Sequence, residues 1–192
     1  MPRISRKEIL GDNMYYHIIA RGNGRRVIFR CKRDYRLFIG IVHEYLIKFP
    51  LNVYHYCLMR NHIHFVIQTT EGWMLPKFMQ GVLQKYAHYF RKRYDIPGYL
   101  FQNRYKSFLI DKDSYLMDCG RYIERNPLRA NLVYDLFNYE WSSFNFYADG
   151  KKDILIKAAD PIYLQLANSE IERLKVYRSY VLETRPSELI EK

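Results

Sequence analysis

The fold of this chain is decided by residues 52–69, which read NVYHYCLMRNHIHFVIQT. The two halves, Asn52 to Met59 and His62 to Thr69, are rich in aromatic and β-branched residues, and these residue types favour strands. A connection of only two residues, Arg60-Asn61, separates the halves. Two strand-like runs joined in this way predict a β-hairpin.

Outward from the hairpin, helix and strand patterns alternate in both directions. Apolar residues recur at helical spacing in Arg33–Phe49, before the hairpin, and in Met74–Tyr94, after it. Residues 14–21 and 107–111 have the composition of strands, and a last helix is predicted from Asp113 to about Arg125. The order strand, helix, strand, strand, helix, strand, helix predicts an α+β fold, a ferredoxin-like split βαβ antiparallel sheet with an added C-terminal helix.

The chain is long enough to contain a further segment after the predicted sheet and its helices. A chain of 192 residues can form one domain with a sizeable core plus an appendage. We expect residues 1–150 to form the first domain, closed by Trp141-Ser142-Ser143-Phe144. Residues 151–192 are expected to be a helical appendage, whose role the sequence leaves open.

The charge of the chain points to a polyanionic partner. Thirty-one Lys and Arg against 20 Asp and Glu leave a net charge of +11. The excess lies in segments that are predicted to fold: residues 1–36 hold ten basic and three acidic side chains, and residues 77–107 hold seven and one. Nucleic acid is the commonest polyanion for such a protein.

Several classes of protein are disfavoured by composition. No window approaches the ~18 consecutive apolar residues of a membrane span, and no apolar segment of the signal-peptide type follows the basic N-terminus. The three cysteines (Cys31, Cys57 and Cys119) are odd in number and lack CxxC spacing, which argues against a disulfide framework. We therefore expect a cytoplasmic protein without a membrane partner.

A candidate metal site lies in the second half of the hairpin. His62 and His64 are two residues apart on a predicted strand, so their side chains should point to the same face. Two neighbouring imidazoles can bind one cation and leave positions for other ligands. His17, on the first predicted strand, could line the same face of the sheet. Two surface histidines without a metal remain the alternative at this point.

A candidate nucleophile lies in the last predicted helix. Tyr122 and Asn126 are four residues apart, hence neighbours on one helix face, and Pro127 ends the helix beside Asn126. The amide oxygen of Asn126 could therefore turn toward a metal. A phenolic oxygen can attack a phosphodiester when a metal polarises the phosphate. With 19 tyrosines in the chain, a purely structural role for Tyr122 stays open on this fragment alone.

Six motifs occur in order along about residues 14–147 and resemble a known family. They are Ile19-Ala20-Arg21-Gly22-Asn23, Met59-Arg60-Asn61-His62-Ile63-His64, Tyr89-Phe90-Arg91-Lys92-Arg93-Tyr94, Phe101-Gln102-Asn103-Arg104-Tyr105-Lys106-Ser107, Tyr122-Ile123-Glu124-Arg125-Asn126-Pro127-Leu128-Arg129-Ala130 and Trp141-Ser142-Ser143-Phe144. The series resembles the REP-associated tyrosine transposases, a branch of the HUH single-strand transposases. The chain departs from the usual pattern at Arg60, where proline is common, and at Arg91, where asparagine is common.

The resemblance implies a specific chemistry. His62, His64 and Asn126 would be ligands of Mg²⁺ or Mn²⁺. Tyr122 would attack the scissile phosphate of single-stranded DNA, which forms a 5′-phosphotyrosine link, frees a 3′-OH and permits later strand transfer. Tyr115, seven residues earlier on the same helix face, is the reserve nucleophile.

The resemblance also implies hairpin DNA with single-stranded flanks as the substrate, and a monomer rather than a homodimer. Basic residues in three parts of the chain are the candidates for contacts to this DNA. They are Arg21, Arg25 and Arg26 after the first strand, Arg91, Lys92 and Arg93 at the end of a helix, and Arg104 and Lys106 on a polar segment. The cluster at the helix end could instead only complement the helix dipole.

Two other functions are compatible with parts of the sequence. A ferredoxin-like sheet with aromatic residues can bind nucleic acid without catalysis, and such a module would form no covalent product. A metal-dependent hydrolase with an HxH pair would use water as its nucleophile and would form no tyrosine adduct. The transposase interpretation is preferred because only it accounts for the whole motif series.

Overall fold

Four antiparallel strands form the centre of the protein in a computed structural model that describes residues 10–111 and 113–184. The strands are β1 (Tyr15–Arg21), β2 (Asn52–Met59), β3 (His62–Gln68) and β4 (Lys106–Ile110). They are hydrogen-bonded in the order β2-β3-β1-β4, and all three pairings are antiparallel. The predicted hairpin and the predicted ferredoxin-like α+β fold are confirmed.

Seven α-helices accompany the sheet in the described part of the chain. They are α1 (Lys32–Lys48), α2 (Met74–Tyr94), α3 (Asp113–Glu124), α4 (Asn126–Arg129), α5 (Phe144–Asp149), α6 (Pro161–Leu164) and α7 (Glu170–Leu182). The bounds of α1 and α2 agree with the sequence patterns to within one residue at each end. In the described ranges, no helix has both the length and the apolar character that a membrane crossing requires.

Alternation along the strands separates two faces of the sheet. On β3, Ile63, Phe65 and Ile67 are fully buried in the main core, which also receives the apolar faces of α1 and α2. The intervening residues of β3, among them His62 and His64, therefore point to the opposite face. This opposite face is the one on which α3 packs.

Helix α3 makes a second, smaller core with the sheet. Leu116 and Ile123 of α3 are buried in a cluster with Val66 of β3 and Ile110 of β4. A glycine allows the close approach: a Cβ atom at Gly120 would lie 2.8 Å from ring atoms of His55. Helix α3 is thus fixed over the same sheet face that carries the two predicted metal ligands.

The end of α3 differs from the expectation in one detail. The helix ends at Glu124, close to the predicted Arg125, but Asn126–Arg129 then form the single turn of α4. Pro127 lies in the first turn of α4, where a helix does not require the missing amide hydrogen. The chain therefore turns immediately after Glu124, and Asn126 begins the new turn.

The C-terminal segment packs against the rest of the protein through aromatic rings. Tyr177 of α7 is fully buried, with its ring tilted against that of Tyr147 of α5 and edge-on to that of Tyr163 of α6, at centroid distances of 5.2 and 5.4 Å. The helices predicted beyond residue 150 are present as α6 and α7. The division into a domain at 1–150 and an appendage at 151–192 stays a prediction, and residues 1–9 and 185–192 lie outside the described part of the chain.

A buried charged network joins the sheet, α3 and the C-terminal segment. His55 of β2 contacts Glu124 Oε1 through Nδ1 and Asp160 Oδ2 through Nε2, both at 3.0 Å, and all three side chains are inaccessible to solvent. Ionised carboxylate oxygens only accept hydrogen bonds, so both ring nitrogens must donate and the imidazole is protonated. Burial alone would lower the pKa of His55, but the bonds to Asp160 and Glu124 raise it to about 9.

This network predicts a pH dependence of stability. A histidine in an unfolded chain titrates near pH 6.5, whereas the pKa of His55 in the folded protein is about 9. The stabilisation is therefore fully present below pH 6.5 and is lost as the pH rises to about 9. We expect the free energy of unfolding in urea to fall across this window by on the order of 3 kcal/mol. His55→Gln should lack this part of the slope, and an identical slope in the variant would show that His55 is neutral in the folded protein.

Candidate active site

Three histidines lie together on the sheet face that α3 covers. The rings of His62 and His64 are 4.9 Å apart between centroids and nearly perpendicular. His17 of β1 stacks on His64, with His17 Nε2 2.9 Å from His64 Nδ1. The prediction that His62 and His64 share a face is confirmed, and so is the expectation that His17 could line it.

Hydrogen bonds from neighbouring residues define which ring nitrogens are available. His62 Nδ1 lies 2.6 Å from Asn61 Oδ1, and because an amide oxygen only accepts, Nδ1 carries the hydrogen. The lone pair of His62 is then on Nε2. For His64, the Nδ1 atom is hydrogen-bonded to His17 Nε2, and the Nε2 atom of His64 takes no part in this bond. His62 therefore has Nδ1 held by a neighbour and a lone pair on Nε2, and His64 has the same arrangement when its Nδ1 donates to His17. This arrangement is typical of metal-binding histidines.

The three imidazoles are neutral at physiological pH. Burial lowers the pKa of His17 to about 4 and, together with the positive charge of Arg21, lowers the pKa of His62 to about 4. Burial holds the pKa of His64 well below its usual value, with further lowering by His62, His17 and Arg21. A neutral imidazole keeps a lone pair on one ring nitrogen, which a protonated imidazole lacks, so this donor set fits a divalent cation.

Tyr122 of α3 lies over this cluster. Its ring is 6.2 Å from the ring of His17 and 6.3 Å from that of His64, both in edge-on geometry. The side chain is 44% exposed, so a substrate can reach it. Arg129 places its guanidinium 5.0 Å above the ring. The positive charge of Arg129 at this position can also attract a phosphate group.

Asn126 is anchored beside Tyr122 by its amide group. Its Nδ2 atom contacts the carbonyl oxygens of Tyr122 and Ile123 at 3.3 and 3.1 Å. Both contacts are donated by Nδ2, and Oδ1 takes part in neither. Within 10–111 and 113–184, no group of three or more His, Cys, Asp or Glu side chains is arranged to hold a metal ion. A metal on His62 and His64 would therefore need oxygen ligands of another type, such as an amide or a phosphate.

Two of the predicted basic residues line a large groove between α2 and the loop before β4. The groove has a volume of about 1010 Å³ and is bordered by Arg91 and Arg104. Amide side chains and one exposed aromatic ring complete the polar part of its lining, namely Gln80, Gln84, Gln102, Asn103 and Tyr99. Amides and guanidinium groups can hydrogen-bond to bases and phosphates, and an exposed ring can stack on an unpaired base.

The basic residues after β1 lie close to the same loop. The amide of Asn23 donates to the carbonyl of Leu100, and the amide of Gln102 donates to the carbonyl of Arg21, each at 2.8–2.9 Å. Arg21 is exposed and pairs in register with His62, so the two side chains share a face of the sheet. Arg25 follows in the turn and is exposed, whereas Arg26 is half-buried. This turn is thus hydrogen-bonded to the loop that lines the groove.

The other predicted basic residues lie apart from the groove lining. Lys106 pairs in register with Ile19, which also pairs with His64, so Lys106 lies on the face of the histidine cluster. Lys92 and Arg93 are exposed in the last turn of α2. The Nε atom of Arg93 is 3.8 Å from the buried carboxylate of Asp34, so part of its charge is used within the protein.

Comparison with known proteins identifies the family. The family model described as "Transposase IS200 like" matches residues 11–126, which is more than half of the chain. The chain belongs to the IS200-like transposase family. The match covers the whole sheet, α3 and its tyrosine, and the resemblance deduced from the motif series is thereby confirmed.

A solved structure shares the fold of this transposase. It is the structure of a REP-associated tyrosine transposase bound to a REP hairpin, with a TM-score of 0.64 and 16% sequence identity. The similarity covers 82% of this chain and 92% of that chain. None of the proteins of curated function matches the chain.

Some contacts of the transposase site were not deduced from the sequence. Arg129 stacks on Tyr122, and Asn61 orients His62. Both residues are inside the quoted motifs, so the motifs indicated that these positions belong to the site. Arg129 lies on α4, so its contact with the Tyr122 ring depends on the turn between α3 and α4. The contact of Asn61 with His62 could be predicted only from the conformation of the hairpin turn, because the Asn61 side chain bonds to the residue that follows it.

Proposed function

We propose that this transposase cleaves single-stranded DNA beside a hairpin with Tyr122 as its nucleophile. The observation that carries the proposal is the position of Tyr122, whose exposed ring lies 6.2–6.3 Å from two members of a neutral histidine cluster. The REP-associated transposase with a similar fold is bound to a REP hairpin, which supports hairpin DNA as the substrate class.

The chemical step is a transesterification. The Tyr122 Oη atom attacks the scissile phosphorus, the bond from phosphorus to the 3′-oxygen breaks, and a 5′-phosphotyrosine link and a free 3′-OH result. The tyrosine gives up its proton, and the leaving 3′-oxygen gains one. The phosphate ester energy is kept in the new bond, so a DNA 3′-OH can reverse the step on another strand without a nucleotide cofactor. Arg129, which lies over the Tyr122 ring, is proposed to stabilise negative charge on the phosphate.

We assign the metal site to His62, His64 and Asn126. The fit rests on the two neutral imidazoles with one nitrogen each held by a neighbour, and on the anchored amide of Asn126. A bound Mg²⁺ or Mn²⁺ would polarise the phosphate and stabilise the charge that develops during attack. Asn61 and His17 keep the two ligand rings in place, and Arg21 adds positive charge beside His62.

The basic groove is the proposed path of the DNA flank. It combines the guanidinium groups of Arg91 and Arg104 with amides and with the exposed ring of Tyr99, the residue types that bind unpaired bases and their backbone. The turn at Arg25 and Arg26 continues the basic surface. The side chains of Lys92 and Arg93 at the end of α2 are proposed to contact phosphates of the same DNA, and Lys106 those next to the histidine cluster.

The groove predicts a salt-dependent loss of DNA binding. Arg91→Gln/Arg104→Gln should weaken binding to a hairpin with single-stranded flanks at least about tenfold at ~0.1 M salt, and should reduce the slope of log affinity against log salt by about 1–2. Lys157→Gln/Lys175→Gln is the matched control, because both lysines are exposed, lie outside the groove and remove the same charge. Equal losses in the two double variants would mean that only net charge matters.

The proposed reaction is tested with a hairpin library that carries varied single-stranded flanks. The DNA is labelled at its 5′ and 3′ ends and incubated with the protein and Mn²⁺ or EDTA. A metal-dependent adduct that survives denaturation, and that retains the label of the fragment 3′ to the cut, supports the proposal. Cleavage without an adduct would favour the hydrolase, and binding without cleavage would favour a non-catalytic module.

A further inference from the structure

The helix that carries Tyr122 has a second functional face. Arg121, Glu124 and Arg125 surround the nucleophile in sequence, but all three are buried, with exposed fractions of 4%, 0% and 7%. Tyr122 itself is exposed. Successive residues on a helix are about 100° apart, so Arg121 lies about 100° from Tyr122, and Glu124 lies on the opposite side of the helix. The contacts of that side are made with the C-terminal segment.

Glu124 is the point where most of these contacts meet. Its Oε2 atom accepts a hydrogen bond of 2.7 Å from the hydroxyl of Tyr177 on α7. Its Oε1 atom accepts hydrogen bonds from His55 on β2 and from the hydroxyl of Ser143. His55 in turn donates to Asp160, which begins α6. One buried carboxylate of α3 thus joins the sheet, the segment before α5, and α7.

The two arginines bind the last turn of α7. The Nε atom of Arg121 donates to the carbonyl of Tyr180 at 2.9 Å, and its Nη2 atom donates to the carbonyl of Glu183. Arg125 donates to the carbonyl of Val181. The last carbonyls of a helix have no partner within it and carry partial negative charge, so the guanidinium groups of Arg121, on α3, and Arg125, directly after α3, complete the end of α7.

These contacts fix α3 in two ways. Arg121 and Arg125, four residues apart, prevent the end of α3 from sliding along its axis. Glu124 prevents α3 from rotating about that axis. Because Tyr122 is on α3 and Asn126 follows directly at the start of α4, a rotation of α3 would displace both relative to the histidine cluster. A misplacement of about 1 Å can slow an enzymatic step about a hundredfold.

We infer that α7, together with Glu183 directly after it, is a positioning element of the active site, and that its Tyr177 and the Glu124 side chain of α3 are the central positioning residues. The inference rests on the proposed nucleophilic role of Tyr122. It assigns a role to a segment that lies beyond residue 126, where the match to the family model ends. No residue of this segment needs to touch DNA for the effect.

Tyr177→Phe tests the inference in the full chain. The change removes only the hydroxyl on Glu124 Oε2 and keeps the ring in its buried cluster. Tyr163→Phe is the matched control, since this tyrosine is in the same aromatic cluster but its hydroxyl faces Arg173. Two measurements are compared with wild type: amide hydrogen exchange of residues 116–123 relative to β3, and the single-turnover rate of adduct formation at saturating hairpin DNA.

We expect Tyr177→Phe to lose about tenfold in protection of α3 relative to β3, and to form the adduct about tenfold more slowly with unchanged affinity for DNA. Tyr163→Phe should match wild type in both. Equal loss of protection in α3 and β3 would indicate general destabilisation and would overturn the inference. So would unchanged protection, or lost protection with an unchanged adduct rate. If wild type forms no adduct, the proposed function fails, while hydrogen exchange still decides whether Tyr177 holds α3.

Discussion

Tyr122→Phe is expected to abolish the covalent protein–DNA adduct, with a fall in its rate of formation of at least about a thousandfold. The change removes the one atom that forms the new bond to phosphorus, and the remaining ring has no nucleophile. The ring contacts with His17, His64 and Arg129 do not need the hydroxyl, so the local packing should persist. The rate is measured as label that stays on the protein after denaturation, in the presence of Mn²⁺.

Two comparisons make this result specific. Affinity for the hairpin should change less than about twofold in Tyr122→Phe, because the phenol is not part of the basic groove. Tyr134→Phe is the control for the loss of a tyrosine hydroxyl, since that side chain is fully exposed. Tyr115→Phe addresses the reserve nucleophile, which is exposed on the same helix. An adduct that persists in Tyr122→Phe and vanishes in Tyr115→Phe would transfer the nucleophilic role to Tyr115.

The parts of the site that follow from local geometry could be predicted from the sequence. Residues two apart on a strand always share a face, so the pairing of His62 with His64 required only that the hairpin be recognised. The hairpin itself was recognisable because its connection is two residues long and its strands are rich in strand-forming residues. The order of elements then placed α3 on the sheet, which brought Tyr122 to the histidines.

The parts that depend on distant contacts could not be predicted in the same way. The partners of His55 are 69 and 105 residues away along the chain, and nothing in its local sequence distinguishes it from a surface histidine. The anchoring of Asn126 through Nδ2 depends on the turn between α3 and α4, where a proline was expected only to end the helix. Polar groups become partners through tertiary packing, and periodicity carries no information about which ones meet.

The second large effect is expected at the proposed metal site. His64→Ala should lower the affinity for Mn²⁺ at least about a hundredfold, because it removes one of two imidazole ligands. His64 is also the central member of the cluster, in contact with His17 at 2.9 Å and with His62 at 4.9 Å between ring centroids. Titration calorimetry with Mn²⁺ in the absence of DNA measures this loss directly. His88→Ala is the matched control, since His88 is exposed on α2.

A comparison of His64→Ala with His17→Phe should distinguish a metal ligand from a residue that positions a ligand. His17→Phe keeps an aromatic ring against His64 but removes the nitrogen partner, and we expect it to lower the affinity for Mn²⁺ by only about 10–100-fold. Adduct formation should fall with metal affinity in both variants and recover in His17→Phe at high Mn²⁺, but not in His64→Ala. If His64→Ala binds Mn²⁺ as wild type does, these histidines are not the metal ligands. An adduct that then also persists in EDTA would leave Tyr122 dependent on Arg129 and the other cations around it for the stabilisation of phosphate charge.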